Sequence, residues 1–190
     1  SALITSSANV YGDSTGGVLD ESVSPNPAND YAVSKLAMEY ATRLWSDKFP
    51  LCIVRPFNYT GIGQDERFLI PKIVKHFKDK VPVIELGNLE VWREFGDVRT
   101  VAMIYRMLIE NCPVDKTLNV CTGRTYSLRE VISLCEKITG HNIEVKVNPE
   151  FVRENEIREL KGDNSRLLKQ IENIPSHTFE ETLRWMLESS

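Results

Sequence analysis

Tyr31 and Lys35 stand four residues apart in Tyr31-Ala32-Val33-Ser34-Lys35, and Ser7 precedes them by about two dozen residues. A phenol starts from a pKa of about 10, so passing a proton near neutrality needs a fixed cation that favours the ionised form. On a helix, positions i and i+4 share one face a turn apart. Lys35 can therefore bias Tyr31 while both face one cleft, and the Ser7 hydroxyl can hold the substrate oxygen. The chemistry this trio can perform is proton transfer to or from a carbonyl or alcohol oxygen.

The surrounding pattern alternates strand-like and helix-like runs, which predicts a layered α/β fold. Ser1 to Ser7 reads as a strand, Gly12 to Asn29 as a loop, and a helix starts near Asp30. Val33, Leu36, Ala37, Tyr40, Ala41, Leu44 and Trp45 follow helical spacing, so this stripe is expected to pack while Tyr31 and Lys35 stay free. Leu51 to Arg55 reads as a buried strand, and Phe68 to Phe77 as a helix with a proline near its first turn. Val81 to Leu86 and Val91 to Phe95 are predicted strands joined at Gly87-Asn88 by a hairpin or a sharp corner. A helix from Asp97 should end before Pro113, and Thr117 to Cys121 returns as a strand. Ser127-Leu128-Arg129-Glu130 and Thr178-Phe179-Glu180-Glu181 are capping boxes; the first opens a helix to Gly140, the second a last helix with Leu183, Met186 and Leu187. Ile143 to Val147 between them reads as an edge strand.

Five motifs in order carry a resemblance: Ser6-Ser7-Ala8-Asn9-Val10-Tyr11-Gly12, Asp30-Tyr31-Ala32-Val33-Ser34-Lys35, Arg55-Pro56-Phe57-Asn58, Trp92-Arg93-Glu94-Phe95 and Arg153-Glu154-Asn155-Glu156. In this order they resemble the extended short-chain dehydrogenase/reductases, the NAD-dependent epimerase/dehydratase family that modifies sugar nucleotides. The likeness implies a Rossmann-type fold with a small α/β substrate-binding lobe, and Ser7, Tyr31 and Lys35 as catalytic residues. It also implies NAD or NADP as cofactor, met by Tyr31, Lys35 and Phe57. Such proteins open with a Gly-x-x-Gly-x-x-Gly turn that holds the dinucleotide pyrophosphate. No such turn occurs here, so the chain is expected to correspond to the carboxy-terminal part of that fold. Residues 1–60 would then complete the dinucleotide-binding domain, and 61–190 would mainly form the substrate lobe, with segments near 97–123 returning to the first. NAD and NADP stay undivided, because the residue that reads the adenosine ribose belongs to the opening part.

The resemblance extends to the substrate. An asparagine at the place of Asn58 touches the sugar nucleotide in this family, at the carboxyl edge of a strand where open α/β sheets hold ligands. Arg93 and Arg153 are candidates for its diphosphate, since guanidinium groups bind phosphate oxygens in pairs; Glu156 is a candidate for the ribose hydroxyls, and Lys72 for an additional contact. Sugar-nucleotide 4,6-dehydratases of the family carry a glutamate base where this chain has Asn9, and an amide cannot serve as a base. Asn9 is therefore read as a substrate contact, and dehydratase chemistry is disfavoured. The wording around Asn58, Gly87 and Asn119 is most similar to GDP-4-keto-6-deoxymannose reductases, which implies reduction of a 4-keto-6-deoxyhexose at C4. A 4-epimerase using the same trio, and a noncatalytic sugar-nucleotide-binding module, are the alternatives. Family members commonly form homodimers through the helix bearing Tyr31 and Lys35; Tyr40 and Trp45 could serve that contact or the core.

Composition sets limits on partners. The chain has 190 residues, of which 42% are hydrophobic, and a formal net charge of -4; it can bury a sizeable core and lacks the basic surplus of a nucleic-acid binder. Cys52, Cys112, Cys121 and Cys135 form no Cys-x-x-Cys pair, and His76, His141 and His177 have no ligand-spaced neighbours, so no metal site is indicated. No apolar run is long enough to span a bilayer, and the expected setting is the cytoplasm.

Overall fold

The computed structural model describes residues 1–13, 16–111, 116–152 and 158–189. From the amino end, β1 (Ala2–Thr5) leads through a 3₁₀ turn (Ala8–Tyr11) to β2 (Gly17–Leu19) and α1 (Asp30–Arg43). Next come β3 (Leu51–Pro56), β4 (Tyr59–Thr60), α2 (Leu69–Lys78), β5 (Val83–Leu86), β6 (Trp92–Glu94), β7 (Gly96–Asp97) and α3 (Val98–Asn111). The chain continues with β8 (Lys116–Val120), β9 (Thr125–Ser127), α4 (Leu128–Thr139) and β10 (Glu144–Val147), then β11 (Glu159–Gly162), α5 (Ser165–Leu168) and α6 (Phe179–Glu188).

β1, β3 and β8 form a parallel sheet in that order, with Thr5 opposite Val54 and Arg55 opposite Asn119. Every residue of β3 is buried, as its central place requires. α3 packs on β1, and Val101, Ile104 and Leu108 join Val54, Leu118 and Val120 in one core. A second sheet, in order β2-β11-β6-β9, is parallel except where β9 runs against β6. β5 pairs with β10 in parallel, so Gly87-Asn88 is a corner rather than a hairpin. Behind β5 the helices α2, α4 and α6 enclose Ile73, Phe77, Val131, Cys135 and Leu183.

Local chemistry explains the helix ends. Both capping boxes form: Ser127 and Thr178 accept from the Glu130 and Glu181 amides while each glutamate reaches back. Gly140 closes α4 in the left-handed region, at φ 67°. Gly12 sits at φ 78°, and a Cβ there would meet the Asn26 carbonyl oxygen at 1.8 Å, so only glycine fits this turn after Tyr11.

The packing stripe expected on α1 is overturned. Val33, Tyr40, Leu44 and Trp45 are all more than half exposed, and the helix turns Ala32 and Glu39 inward instead. A carboxylate at the buried position finds a buried partner on β3, which offsets its desolvation. Two short strands lie in segments with no strand-like pattern: β2 falls inside the predicted loop, and β11 supplies its partner.

Leu183 is fully buried, whereas the Ser127 cap stabilises one helix end. Leu183→Ala should lower unfolding free energy by about 2–5 kcal/mol and Ser127→Ala by about 1 kcal/mol, measured by urea denaturation; the reverse ranking would contradict this core.

Candidate active site

The site assembles where β1 ends. Ser7, in extended backbone (φ -158°, ψ 148°), caps the 3₁₀ turn, its hydroxyl accepting from the Asn9 amide at 3.2 Å. α1 packs against this turn and begins at Asn29, whose side chain accepts from the Ala32 amide at 2.9 Å. Lys35 then reaches back to the strand, Nζ donating to the Thr5 carbonyl at 2.9 Å. The same ammonium lies 5.7 Å from the centroid of the Tyr31 ring. Tyr31 is half exposed and Ser7 is buried. One cation thus ties the phenol-bearing turn of α1 to the residue two before Ser7.

One turn beyond Lys35, Glu39 makes a second tie. Its carboxylate accepts from Arg55 Nε and Nη2, at 2.8 and 2.7 Å, and from the Ser6 hydroxyl at 2.6 Å, and meets Arg43 at 3.3 Å. Burial alone would raise the carboxyl, but the Arg55 guanidinium and the Ser6 hydroxyl outweigh it and hold Glu39 below the usual carboxylate value. Arg55 is raised in turn: burial opposes its charge, and Glu39 and Tyr11 together more than compensate. The guanidinium also lies 4.9 Å from the Tyr11 ring centroid, and the Tyr11 hydroxyl donates to Asn119 at 2.7 Å. The polar network therefore runs from α1 through β3 to β8.

The other sequence-predicted residues are spread more widely. Asn9 is exposed at the 3₁₀ turn, and Asn58 is exposed just past β3, its carbonyl accepting from Gly96 at 2.8 Å. The Phe57 ring packs with Ala8, Tyr11 and Leu19. Arg93 lies on β6 with a nitrogen on the Trp92 carbonyl at 2.8 Å, and Lys72 donates to the Glu85 carbonyl at 2.8 Å with its ammonium over Phe151. Arg153, Glu156 and Cys112 lie outside the described residues. A cavity of about 720 Å³ borders Asn58, Thr122, Arg124 and His177, and is lined by none of Ser7, Tyr31 and Lys35.

Besides Glu39, sequence reasoning missed two further groups. Glu94, almost fully buried, accepts from the Thr122 amide and hydroxyl at 2.7 and 2.8 Å, from the Gly123 amide at 3.1 Å and from the Gly162 amide; burial nonetheless pushes its carboxyl up. Tyr105 on α3 has a buried hydroxyl without a hydrogen-bond partner among the described residues, and burial raises it. Among the described residues no three His, Cys, Asp or Glu side chains converge as metal ligands, and no helix is long and apolar enough to cross a membrane.

Because Glu39 titrates lower folded than unfolded, the stability it contributes is complete above about pH 4.3 and is lost as pH falls through the folded value. Glu39→Gln leaves Arg55 buried without its counter-ion, which should cost about 3–5 kcal/mol at pH 7. Denaturation at stepped pH should also show a shallower acid loss in the variant; equal slopes would refute the ion pair's role.

The family model described as GDP-mannose 4,6 dehydratase matches residues 2–186. The chain is 39% identical over 171 residues to GDP-6-deoxy-D-talose 4-dehydrogenase of Aggregatibacter actinomycetemcomitans, spanning 90% of this chain and 58% of that protein. It is 31% identical over 194 residues to GDP-6-deoxy-D-mannose reductase of Pseudomonas aeruginosa, spanning 97% and 64%. The solved structure of RMD from Pseudomonas aeruginosa complexed with NADPH superposes with a TM-score of 0.88 at 30% identity, over 97% of this chain and 64% of that one. The chain thus spans about three fifths of the length of these relatives. With the parallel sheet, the tyrosine–lysine helix and the serine turn in place, it belongs to the GDP-mannose 4,6-dehydratase family, within the epimerase/dehydratase branch of the extended short-chain dehydrogenase/reductases.

Proposed function

We propose that this chain carries the catalytic half of a nicotinamide-dependent oxidoreductase that acts at C4 of a GDP-linked 6-deoxyhexose, reducing the 4-keto form. The observation that carries the reading is Lys35: its ammonium lies beside the Tyr31 ring and is pinned to Thr5, next to Ser7. The two curated relatives, named for a GDP-6-deoxytalose dehydrogenase and a GDP-6-deoxymannose reductase, support the substrate class.

Lys35 has three N–H donors, and Thr5 takes one. The rest, with the half-exposed Tyr31, suit the vicinal hydroxyls of a nicotinamide ribose, so the residues present fit NAD or NADP; Phe57, buried against Ala8 and Tyr11, is assigned to the same cofactor by the family likeness. That cofactor, when bound, supplies the hydride. Tyr31 gives its proton to the oxygen developing at C4, and Ser7 hydrogen-bonds the same oxygen as its charge grows. Lys35 holds the phenol and favours its ionised form after transfer. Asn9 and Asn58 line the sugar, and Arg93 takes the diphosphate together with Arg153, with Glu156 on the ribose. Asn9, having no basic group, leaves the family's dehydration step without its carboxylate.

The exposed apolar residues of α1 and of the turn after it, Val33, Tyr40, Leu44 and Trp45, support a homodimer built on that helix. Pairing of β8 with β3 supports assigning residues near 97–123 to the dinucleotide-binding unit and the rest of 61–190 mainly to the substrate lobe. The setting proposed is the cytoplasm.

In the whole protein, supplied with GDP-4-keto-6-deoxymannose and reduced nicotinamide, absorbance should fall with turnover, and GDP should outcompete UDP, dTDP and CDP counterparts. Tyr31→Phe should lower kcat at least about a thousand-fold while substrate affinity, read by calorimetry, stays within a few fold. Retained turnover would remove Tyr31 from the chemistry; conversion of a plain GDP-hexose to its C4 epimer would identify an epimerase instead.

A further inference from the structure

We propose that Ser6 and Glu39 are positioning residues: together they lock the end of β1, and with it Ser7, to the face of α1 that carries Tyr31 and Lys35. The inference rests on the proton-transfer reading above and adds two residues that touch neither substrate nor cofactor.

Tyr31, Lys35 and Glu39 succeed one another at intervals of four, so they form a single strip along α1. Two of the three bind the last residue of β1 and the one after it. Lys35 takes the Thr5 carbonyl at 2.9 Å, and Glu39 takes the Ser6 hydroxyl at 2.6 Å. Ser6 is gripped from the other side as well, its amide donating to the Val54 carbonyl at 2.8 Å. The carboxylate that holds it cannot drift, because Arg55, the residue after Val54, binds both its oxygens. Strand and helix thus share one buried anchor immediately before Ser7.

A buried ion pair adds little stability over apolar residues of the same volume. It does fix direction, since a bidentate guanidinium–carboxylate pair allows one relative orientation. The residue that gains from this is Ser7, whose oxygen must lie within hydrogen-bond reach of the atom that Tyr31 protonates. A displacement of about 1 Å at such a centre costs up to about a hundred-fold in rate. Ser6 supplies the link from the anchored carboxylate to the serine's own backbone.

The test uses the whole protein with Ser6→Ala, which deletes one hydroxyl, and Ser6→Cys, which keeps the volume, as the second variant. Arg43→Ala is the control: Arg43 meets the same carboxylate at 3.3 Å, and among the described residues it makes no hydrogen bond to β1. Ser6→Ala and Ser6→Cys should lower kcat about ten-fold with KM unchanged, and Arg43→Ala should keep wild-type kcat. A folded Ser6→Ala protein with wild-type kcat would overturn the proposal, as would a loss confined to KM. If the wild type reduces no sugar nucleotide, the functional reading fails by itself. The clamp is then decided by ¹⁹F NMR of 3-fluorotyrosine-labelled protein, with the Tyr31 signal assigned through Tyr31→Phe. Displacement of that signal in Ser6→Ala but not in Arg43→Ala supports the clamp, and an unmoved signal refutes it.

Discussion

The Glu39–Arg55 pair is the constraint on which the rest of the site depends. Two ionised groups out of water impose a desolvation cost that only close, directional contact offsets. That contact fixes α1 at one register relative to β3, since the Glu39 oxygens must meet Nε and Nη2 of Arg55. Once the helix is seated, Lys35 falls opposite Thr5 and Tyr31 projects at the helix start, half exposed. The placing of Tyr31 and Lys35 follows from an electrostatic demand on packing.

The relation between Tyr31 and its cation has the same logic at smaller scale. The ammonium is not left to swing: a backbone carbonyl fixes it beside the ring. Because that carbonyl belongs to Thr5, the last residue of β1, a single hydrogen bond links the surroundings of Tyr31 to the segment that leads into Ser7. Glu94 plays a comparable part in the second sheet, where one carboxylate gathers amides from the 122–123 turn and from Gly162.

How much of this was legible depended on whether the signal was local. Capping boxes at Ser127 and Thr178 announce helix starts within four residues, and both form as read. The Tyr31–Lys35 spacing is equally local. The α1 stripe misled because periodicity reports that a helix has an apolar side, not what covers it; the side that packs within this chain carries Ala32 and Glu39. A usable signal was present in Arg55: a charge inside the wholly buried run Leu51–Pro56 requires a partner, and Glu39 lies on the preceding helix. β2 and β11 gave none, being three and four residues long with pairing partners far off in sequence.

That last pairing has a consequence for biogenesis. Gly17 aligns with Leu160, so the second sheet cannot close until nearly all of this chain has left the ribosome. During synthesis the segment after the serine turn emerges early and must wait, its edge unpaired. Nonlocal parallel pairing of this kind is slow and leaves a nascent polypeptide exposed to aggregation. Cellular yield should thus be governed by chaperone capacity during translation as much as by the equilibrium strength of the finished fold.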